Sequence, residues 1–400
     1  MEMPKILVTE FGVPPLVKLL KALYGTKDAP LLWWQLLHDV LVEELEFVQA
    51  TNDSCFYFHK NKKIALGVYV DDMPTAASKE NYRWVVQELE KRFQITDKGV
   101  LTRCLGMNVI QSIVDGKLVS IKIHQPEYIA EVLQKFGFQQ CTPVSTPAVP
   151  NTFLTAYMPN YIRQEKDHNL SKLSLALYPS LVGSLLWIAI STRPEISQAV
   201  SQLCRYVHKP CLAHLTAAKH VLRFLQGTRD QGLTYSASAN KTPIIYSDAT
   251  WGSDPTTKRS ISAYVVILYG ASISWHCGIQ ASVSLSTAES EWYALSETTK
   301  EALYMKHTLS QFQFSGVEKW KTNPIIIMED NQAVINIATA GEPKHKAQKH
   351  ILLRLAYVRE AVESNIILPV FVPSRDNVAD ILTKNLPKEP FMRLSAKLLG

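Results

Sequence analysis

The sequence has none of the features that mark a secreted or membrane-anchored chain. Its six cysteines are scattered over 400 residues without a C-x-x-C pair, so neither a zinc site nor a disulfide framework is predicted. No run approaches the roughly 18 apolar residues that a membrane span requires. The first residues, MEMPKILVTEFG, lack the charged and apolar segments of an export signal. We therefore expect a reduced, intracellular chain, in the cytoplasm or nucleus, without membrane contact.

The chain also lacks a strong charge of either sign and any internal repeat. Lys and Arg outnumber Asp and Glu by 42 to 36, a net charge of +6 that permits a nucleic-acid partner without predicting one. Hydrophobic residues make up 46% and charged residues 20%, which excludes a fibrous or wholly disordered protein. At about 100–200 residues per domain, the length predicts two or three folded units.

Three segments of different character follow one another. Helical and strand patterns alternate over residues 1–140, and a stretch rich in Pro, Thr and Asn follows Cys141, as in a linker. Residues 173–228 carry the apolar stripes of helices, so 141–240 reads as a linker and a small helical domain. After Lys241 the pattern changes to three successive strands and then to alternating helices and strands.

The last 160 residues predict a mixed sheet covered by helices, of α+β or α/β class. Three strands in succession favour an antiparallel half, and the alternation behind them favours a parallel half. The predicted strands are Ile244–Tyr246, Ile261–Leu268, Ser272–Trp275, Ile325–Met328 and Ile366–Val372, and the predicted helices are Thr287–Gln311, Asn331–Thr339, Ile351–Ser364 and Asn377–Leu386.

Four acidic residues of this segment lie at the ends of apolar strands or within predicted helices, where an acidic side chain is unusual on an apolar face. Asp248 and Asp330 each end an apolar strand, and Asp380 lies in a short predicted helix. At 3.6 residues per turn, Glu291 shares the apolar face of its helix, whereas Glu289 faces away. Only the fold can bring these four acids together, and four adjacent carboxylates would repel unless divalent cations neutralised them.

Two Mg²⁺ ions about 3.5–4 Å apart would neutralise such a cluster and activate a water against a phosphodiester. The alternative for any single Asp at a strand end is a turn former or a helix cap.

Motifs in this segment resemble, in order and spacing, the ribonuclease H domain of copia-type LTR retrotransposon polyproteins. They are YSDATWGSDPTTKRSISAY, ISWHCGIQASVSLSTAESEWYALSE, EDNQAVINIA, KHILLR and VPSRDNVADILTKNLP. The resemblance implies a ribonuclease H-like, five-stranded mixed sheet over 241–390 and cleavage of the RNA strand of RNA–DNA hybrids with two Mg²⁺ ions, or Mn²⁺. It places the catalytic, metal-binding acids at Asp248, Glu291, Asp330 and Asp380, with Asp376 as a weaker rival to Asp380.

A basic stretch lies before and on the helix at 351–364. Its residues suit contact with the phosphates of a hybrid, or simply a solvated loop, and comprise Lys344, Lys346, Lys349, His350 and Arg354. The family pattern there usually reads KHIDIRYH, whereas this chain has Leu352 and Ala356 in place of the acid and the second histidine.

The first part of the chain contains Tyr69-Val70-Asp71-Asp72 after an apolar run. LLKALYGTKDAPLLWW, CFYF, YVDD, FQITDKGVLTRCLGMNV and the segments through YPSLVGSLLWIAISTRPEISQAV resemble the later part of the reverse transcriptase of the same family. The resemblance implies a partial, truncated polymerase palm over 1–140 and a helical thumb or connection within 141–240.

The polymerase motif departs from the family pattern in two respects. A further upstream aspartate has no assignable counterpart, because Asp28 and Asp39 fall in helical segments and Asp53 in a turn. Pro74 stands where an apolar strand is expected to continue, and proline removes a ladder donor. We therefore expect no autonomous DNA synthesis, with Asp71 and Asp72 as vestigial metal ligands.

Three hypotheses follow. The leading one is a Mg²⁺-dependent ribonuclease H acting on RNA–DNA hybrids, with other Pol or Gag products as candidate partners. The second is a catalytically silent, nucleic-acid-binding relic or co-opted module, favoured by the missing upstream aspartate, Pro74 and Leu352. Its basic faces would comprise the 344–354 cluster and Arg205, Lys209, Lys219 and Arg223. The third is a protein-interaction scaffold, favoured only by the general tolerance of folds for new roles.

Overall fold

The computed structural model describes residues 22–23, 25–155, 176–312, 318–339 and 349–400, together with Thr9. Contacts between Cα atoms divide the described chain into two compact units. One comprises the residues up to Gly99 with Gln311 and Phe312, and the other comprises the remaining described residues from Val100 onward. The division at about residues 140 and 240 concerns family segments, and it stays a prediction.

In the residues that the structure describes, the first unit is a small four-stranded antiparallel sheet with two helices. Its strands follow the chain in the order β1-β2-β3-β4, and the first helix continues into one wider π-type turn. Leu37, Phe47 and Leu66 are among the side chains of its apolar core. The elements are α1 (Ala29–Asp39), β1 (Phe47–Gln49), β2 (Phe56–His59), β3 (Ala65–Gly67), β4 (Thr75–Ala76) and α2 (Lys79–Glu90).

The second unit begins with an antiparallel sheet that adds a later strand at its edge. Sequence patterning predicted only the strand near Leu118, because the β6–β7 hairpin is exposed on both faces near its tip, so burial does not alternate. The elements are β5 (Arg103–Cys104), β6 (Met107–Val114), β7 (Lys117–His124), the helix α3 (Pro126–Lys135) and the last strand of this sheet, β8 (Gly232–Ser236).

Among the described residues from 176 to 228, three α-helices form, as the sequence predicted: α4 (Tyr178–Ser191), α5 (Ser197–Cys204) and α6 (Leu212–Gly227). In α4 the buried positions Leu181, Val182, Leu185, Ile188 and Ala189 repeat at helical spacing. These helices share one apolar core with the sheet that follows them in the chain, since Ala263 and Val265 belong to the same cluster. The helical segment and the sheet are therefore parts of one packed body.

The last part of the chain is a five-stranded mixed sheet of strand order β11-β10-β9-β12-β13. Its first three strands are antiparallel, and β12 runs parallel to both β9 and β13. This confirms the predicted class and the division into antiparallel and parallel halves. The strands are β9 (Ile244–Thr250), β10 (Ile261–Leu268), β11 (Ala271–Ile279), β12 (Ile325–Glu329) and β13 (Ile367–Phe371).

Helices surround this sheet: α7 (Thr287–Gln311), α8 (Glu318–Thr322), α9 (Gln332–Thr339), α10 (Lys349–Glu363), α11 (Asp380–Thr383) and α12 (Lys388–Leu399). The predicted helix over 377–386 is wrong. Only one turn, α11, forms there, because the buried Asn377 side chain holds the backbone in a turn by accepting the N–H of Ala379, and Lys384 is extended. No helix in the described part of the chain combines the length and apolar character needed to cross a membrane.

Candidate metal centre

Strand register places two of the predicted acids side by side. In the parallel pair β9–β12, Met328 lies opposite Tyr246. Extending this register by two residues brings Asp330, just past the end of β12, opposite Asp248 in β9. Because residues two apart share a face, both carboxylates point to the same side at the same edge of the sheet. The strand-end prediction thus has a geometric basis.

Glu291 reaches the same point from the first turns of α7. Its helix is tied to the sheet by the Gln280 side chain, which donates to the carbonyl of Ser290 at 2.9 Å. Glu291 is 8% exposed, as its position on the apolar face predicted. One carboxylate oxygen from each of Asp248, Glu291 and Asp330 lies within 4.8 Å of the others, the one group of its kind in the described residues.

Burial and mutual repulsion make this cluster electrostatically costly. The pKa of Glu291 is raised to about 11, chiefly by burial and then by the carboxylates of Glu329, Asp248 and Asp330. Burial likewise raises the pKa of Asp248, although Lys384 and Thr383 oppose that rise. The Glu291 Oε2 atom is buried and has no hydrogen-bond partner. A cation bound among these oxygens would relieve both costs.

The donor set fits a hard divalent cation. Carboxylate oxygens are the ligands that Mg²⁺ and Mn²⁺ prefer, and no thiol or imidazole belongs to the group. The carboxylate donors therefore suit the predicted Mg²⁺ or Mn²⁺ and do not suit a softer metal ion.

Asp380 lies at the edge of this group and meets it through a lysine. The Lys384 Nζ atom is 2.6 Å from Asp380 Oδ1 and 3.4 Å from Asp248 Oδ1. The Thr383 hydroxyl donates to the other oxygen of Asp248. Burial, followed by the charge of Asp248, raises the pKa of Asp380 to about 7. Three of the four predicted acids converge directly, and the fourth is joined to them by the ammonium group.

The rival acid, Asp376, lies in a different environment. Its carboxylate is partly exposed and pairs with Arg375 at 3.3 Å and with Lys397 at 3.6 Å. Asn377 lies between Asp376 and Asp380 in the sequence and is fully buried. Its side-chain amide donates to the carbonyl of Ser247 at 2.8 Å. This bond fixes the chain beside Asp248, so the geometry favours Asp380 over Asp376.

Sequence reasoning missed one further carboxyl group. Glu329 is fully buried, one oxygen accepts the N–H of Asn331 at 3.2 Å, and the other oxygen has no partner. Burial, together with Asp330 and Asp248, raises the pKa of Glu329 well above its ordinary value. A signal was present in the sequence, because Glu329 follows Ile325 and Ile327 at the two-residue spacing of one buried strand face.

The predicted nucleic-acid contacts are only partly visible. Lys344 and Lys346 lie outside the described residues, and Lys349 and His350 begin α10. The Arg354 guanidinium donates to Glu297 Oε1 at 2.8 Å and to Ser296, and lies 3.8 Å from the centre of the Tyr293 ring. Arg354 thus has an intramolecular role, and its contact with phosphate stays a prediction.

Asp71 and Asp72 occupy a tight turn in the first unit. Tyr69 and Asp72 exchange two backbone hydrogen bonds of 2.9 Å, and Val70 adopts a left-handed φ of 56° to close the turn. Asp71 is exposed, and Asp72 lies 3.6 Å from the Lys98 ammonium group. The predicted turn geometry is present, and a metal-binding role stays a prediction.

The mixed five-stranded sheet, with acids at the ends of two parallel central strands and a third acid from an adjoining helix, defines a ribonuclease H-type fold. Residues 12–150 match the family model for reverse transcriptase (RNA-dependent DNA polymerase). The retrovirus-related Pol polyprotein from transposon TNT 1-94 of Nicotiana tabacum is 32% identical over 96% of this chain, which spans 28% of that protein's length. A transposon Ty5-1 protein of Saccharomyces cerevisiae is 30% identical over 70% of this chain and 87% of its own length.

The chain therefore belongs to the family of copia-type retrotransposon Pol proteins. It spans only about a quarter of the length of the Pol polyproteins that it matches, 28% and 25% for the tobacco and Arabidopsis thaliana proteins. Among solved structures, a foamy viral protease–reverse transcriptase in complex with dsDNA aligns with 88% of this chain and 60% of its own. The identity in that alignment is 13% and the TM-score is 0.44.

Proposed function

We propose that residues 241–390 form a ribonuclease H that hydrolyses the RNA strand of RNA–DNA hybrids with two Mg²⁺ ions, or Mn²⁺ in their place. The observation that carries this proposal is the convergence of Asp248, Glu291 and Asp330, whose oxygens lie within 4.8 Å of one another where the inner strands β9 and β12 end. Membership of the copia-type Pol family supports it, because the resemblance of the sequence motifs to the ribonuclease H domain of that family implies this activity.

Each acid has a distinct role in this proposal. Asp248 and Asp330, held at fixed spacing by the parallel register, supply ligands for the ions. Glu291 supplies a further ligand, and its unpartnered oxygen is placed to orient the attacking water by accepting a hydrogen bond. Asp380 completes the second ion position. The bound ions would polarise the phosphodiester and lower the pKa of the attacking water.

The basic residues of the chain are proposed to hold the phosphates of the hybrid. Lys344, Lys346, Lys349 and His350 precede or begin α10, close in sequence to Arg354, which is already anchored to Glu297. We further propose that residues 1–140 and 141–240 correspond to a partial polymerase palm and a thumb or connection.

The test is cleavage of a hybrid labelled on its RNA strand. We expect the purified chain to cut the RNA strand only with Mg²⁺ or Mn²⁺, and Asp248→Asn to reduce cleavage to the level of a sample without enzyme. Asp230→Asn provides the matched control, because Asp230 is exposed and lies outside the acidic cluster. Metal-independent cleavage, or full activity in Asp248→Asn, would contradict the proposal.

A second pair of variants decides between the two C-terminal acids. Asp380 shares Lys384 with Asp248, whereas Asp376 pairs with exposed basic side chains. Asp380→Asn is therefore expected to lower the cleavage rate by at least about tenfold, equivalent to 1.4 kcal/mol of transition-state stabilisation, and Asp376→Asn to leave it unchanged. The reverse result would move the fourth ligand to Asp376.

The binding-module hypothesis makes a different forecast for the same sample. Hybrid binding that weakens steeply with salt, without metal-dependent turnover, would favour it over the enzyme. Two basic residues that this hypothesis assigns to the nucleic-acid-binding face make contacts within the chain, since Arg205 pairs with Asp254 and Arg223 donates to the carbonyl of Thr142. Lys209 and Lys219 remain exposed.

A further inference from the structure

The cation nearest to the acidic cluster belongs to the chain itself. Lys384 leaves the end of α11, and its ammonium nitrogen lies between two carboxylates, 2.6 Å from Asp380 Oδ1 and 3.4 Å from Asp248 Oδ1. Asp248 is buried and Asp380 nearly so, with side-chain exposures of 2% and 13%. The ammonium group therefore neutralises two acids that water reaches poorly.

This position is the one that a second divalent cation would need. An ion shared by Asp248 and Asp380 has to lie between their oxygens, where the Lys384 nitrogen now lies. The second oxygen of Asp248 is engaged by the Thr383 hydroxyl, so the oxygen facing Lys384 is the one left for such an ion. An ammonium group and a divalent ion repel at this spacing, so they exclude each other.

The first ion position lies farther from the lysine than the second. Asp248, Glu291 and Asp330 bring three oxygens within 4.8 Å of one another, and the carboxylate nearest to Lys384 is that of Asp380, outside this group, at 2.6 Å against 3.4 Å for Asp248. The Lys384 side chain is 34% exposed, so its long, flexible stem has a way out to solvent.

We propose that Lys384 is a built-in counter-cation that occupies the second metal position of the resting site. The chain binds one divalent ion through Asp248, Glu291 and Asp330, and binds the second only when the Lys384 ammonium group withdraws toward solvent. Lys384 is thus a positioning residue that sets the order and affinity of metal binding. The inference rests on the function proposed above.

The first test counts bound Mn²⁺ by electron paramagnetic resonance on the full chain. The wild type is expected to bind one ion tightly and a second weakly. Lys384→Gln, which removes the charge and leaves a polar, unbranched-stem side chain one atom shorter, should bind the second ion at least about tenfold more tightly. Lys397→Gln is the matched control, since Lys397 is half-exposed and pairs with Asp376. Identical second-ion affinities in the wild type and Lys384→Gln would overturn the inference.

The second test uses the wild type alone, so it does not depend on how a variant folds. Lysine acetylation, mapped by peptide mass spectrometry, reports the accessibility of the Lys384 ammonium group. We expect slow acetylation of Lys384 in chelator and with one Mn²⁺ bound, and faster acetylation at saturating Mn²⁺. Lys397 should react at one rate throughout. A Lys384 rate that is independent of Mn²⁺ would also overturn the inference.

The two proposals fail in different ways. Two equivalent Mn²⁺ ions in the wild type, unaffected by Lys384→Gln, would refute the counter-cation and leave the metal centre standing. Mn²⁺ binding that is absent, or that is unchanged in Asp330→Asn, would refute the metal centre and the counter-cation together.

Discussion

At the scale of single residues, two hydrogen bonds determine the protonation state of the buried His214 imidazole. Its Nδ1 atom accepts the N–H of Cys211 at 3.1 Å, and its Nε2 atom lies 2.9 Å from the carbonyl of Thr155. A neutral ring protonated on Nε2 satisfies both bonds, whereas a proton on Nδ1 would face the Cys211 N–H. Burial lowers the pKa of His214 below 6.5, in agreement with this geometry.

The stability of the chain should therefore fall on acidification. Between the lowered folded pKa of His214 and its unfolded value, the unfolded chain binds more protons, so the free energy of unfolding rises with pH and is lost as pH falls. Urea unfolding between about pH 7 and about pH 5 measures this slope. His214→Ala should lose about 1–3 kcal/mol at neutral pH and show a shallower slope.

Exposed His208 provides the control for this prediction. His208→Ala should keep both the stability and the slope of the wild type. A His214→Ala slope equal to that of the wild type would show that the ring is not held neutral in the folded state.

Single residues also mark what the sequence could predict about the site. Asp248, Asp330 and Glu291 were identified because strand ends and helix faces are local patterns. The pairing of Lys384 with Asp248 was not, since 136 residues separate them and only the packing of α11 beside β9 brings them together. Local patterning predicts which acids are unusual, and the packed fold determines what they meet.

At the scale of elements, two adjacent leucines of α4 are equally hydrophobic but differ in burial. Leu185 is fully buried, whereas Leu186, the next residue, is 40% exposed. Leu185→Ala should lower the free energy of unfolding by about 2–5 kcal/mol, because it removes methyl groups from the core and leaves a cavity. Leu186→Ala should change it by less than about 0.5 kcal/mol. Chemical denaturation of both variants measures the difference, and equal losses would contradict the packing of α4.

Elements differ in how well their sequences predicted them. Helices α4 to α6 were predicted because their apolar stripes face one core. The β6 strand was missed because Ile110, Ile113 and Val114 are all exposed, so the two-residue alternation that identifies strands is absent near the hairpin tip. Periodicity reports burial, and an element without a buried face gives little of that signal.

At the scale of the whole molecule, all six cysteines are free thiols in very different surroundings. Cys55 is exposed, whereas burial raises the pKa of Cys277 to about 12. In reaction with Ellman's reagent we expect Cys55 to react first, at least about tenfold faster than Cys277, and Cys55→Ser to remove the fast phase. Reductant should leave the melting temperature unchanged. A fast phase that persists in Cys55→Ser would contradict this ranking.

The edge strand β13 affects how readily two copies of the chain can pair through their sheets. It lies at one end of the five-stranded sheet and carries Pro369 in its middle, with Leu368 and Phe371 exposed. Proline has no N–H group, so this border offers an interrupted row of donors to an incoming strand. The missing donor hinders edge-to-edge strand pairing between two copies at high concentration. It thereby opposes aggregation at an edge strand whose hydrophobic side chains are exposed to water.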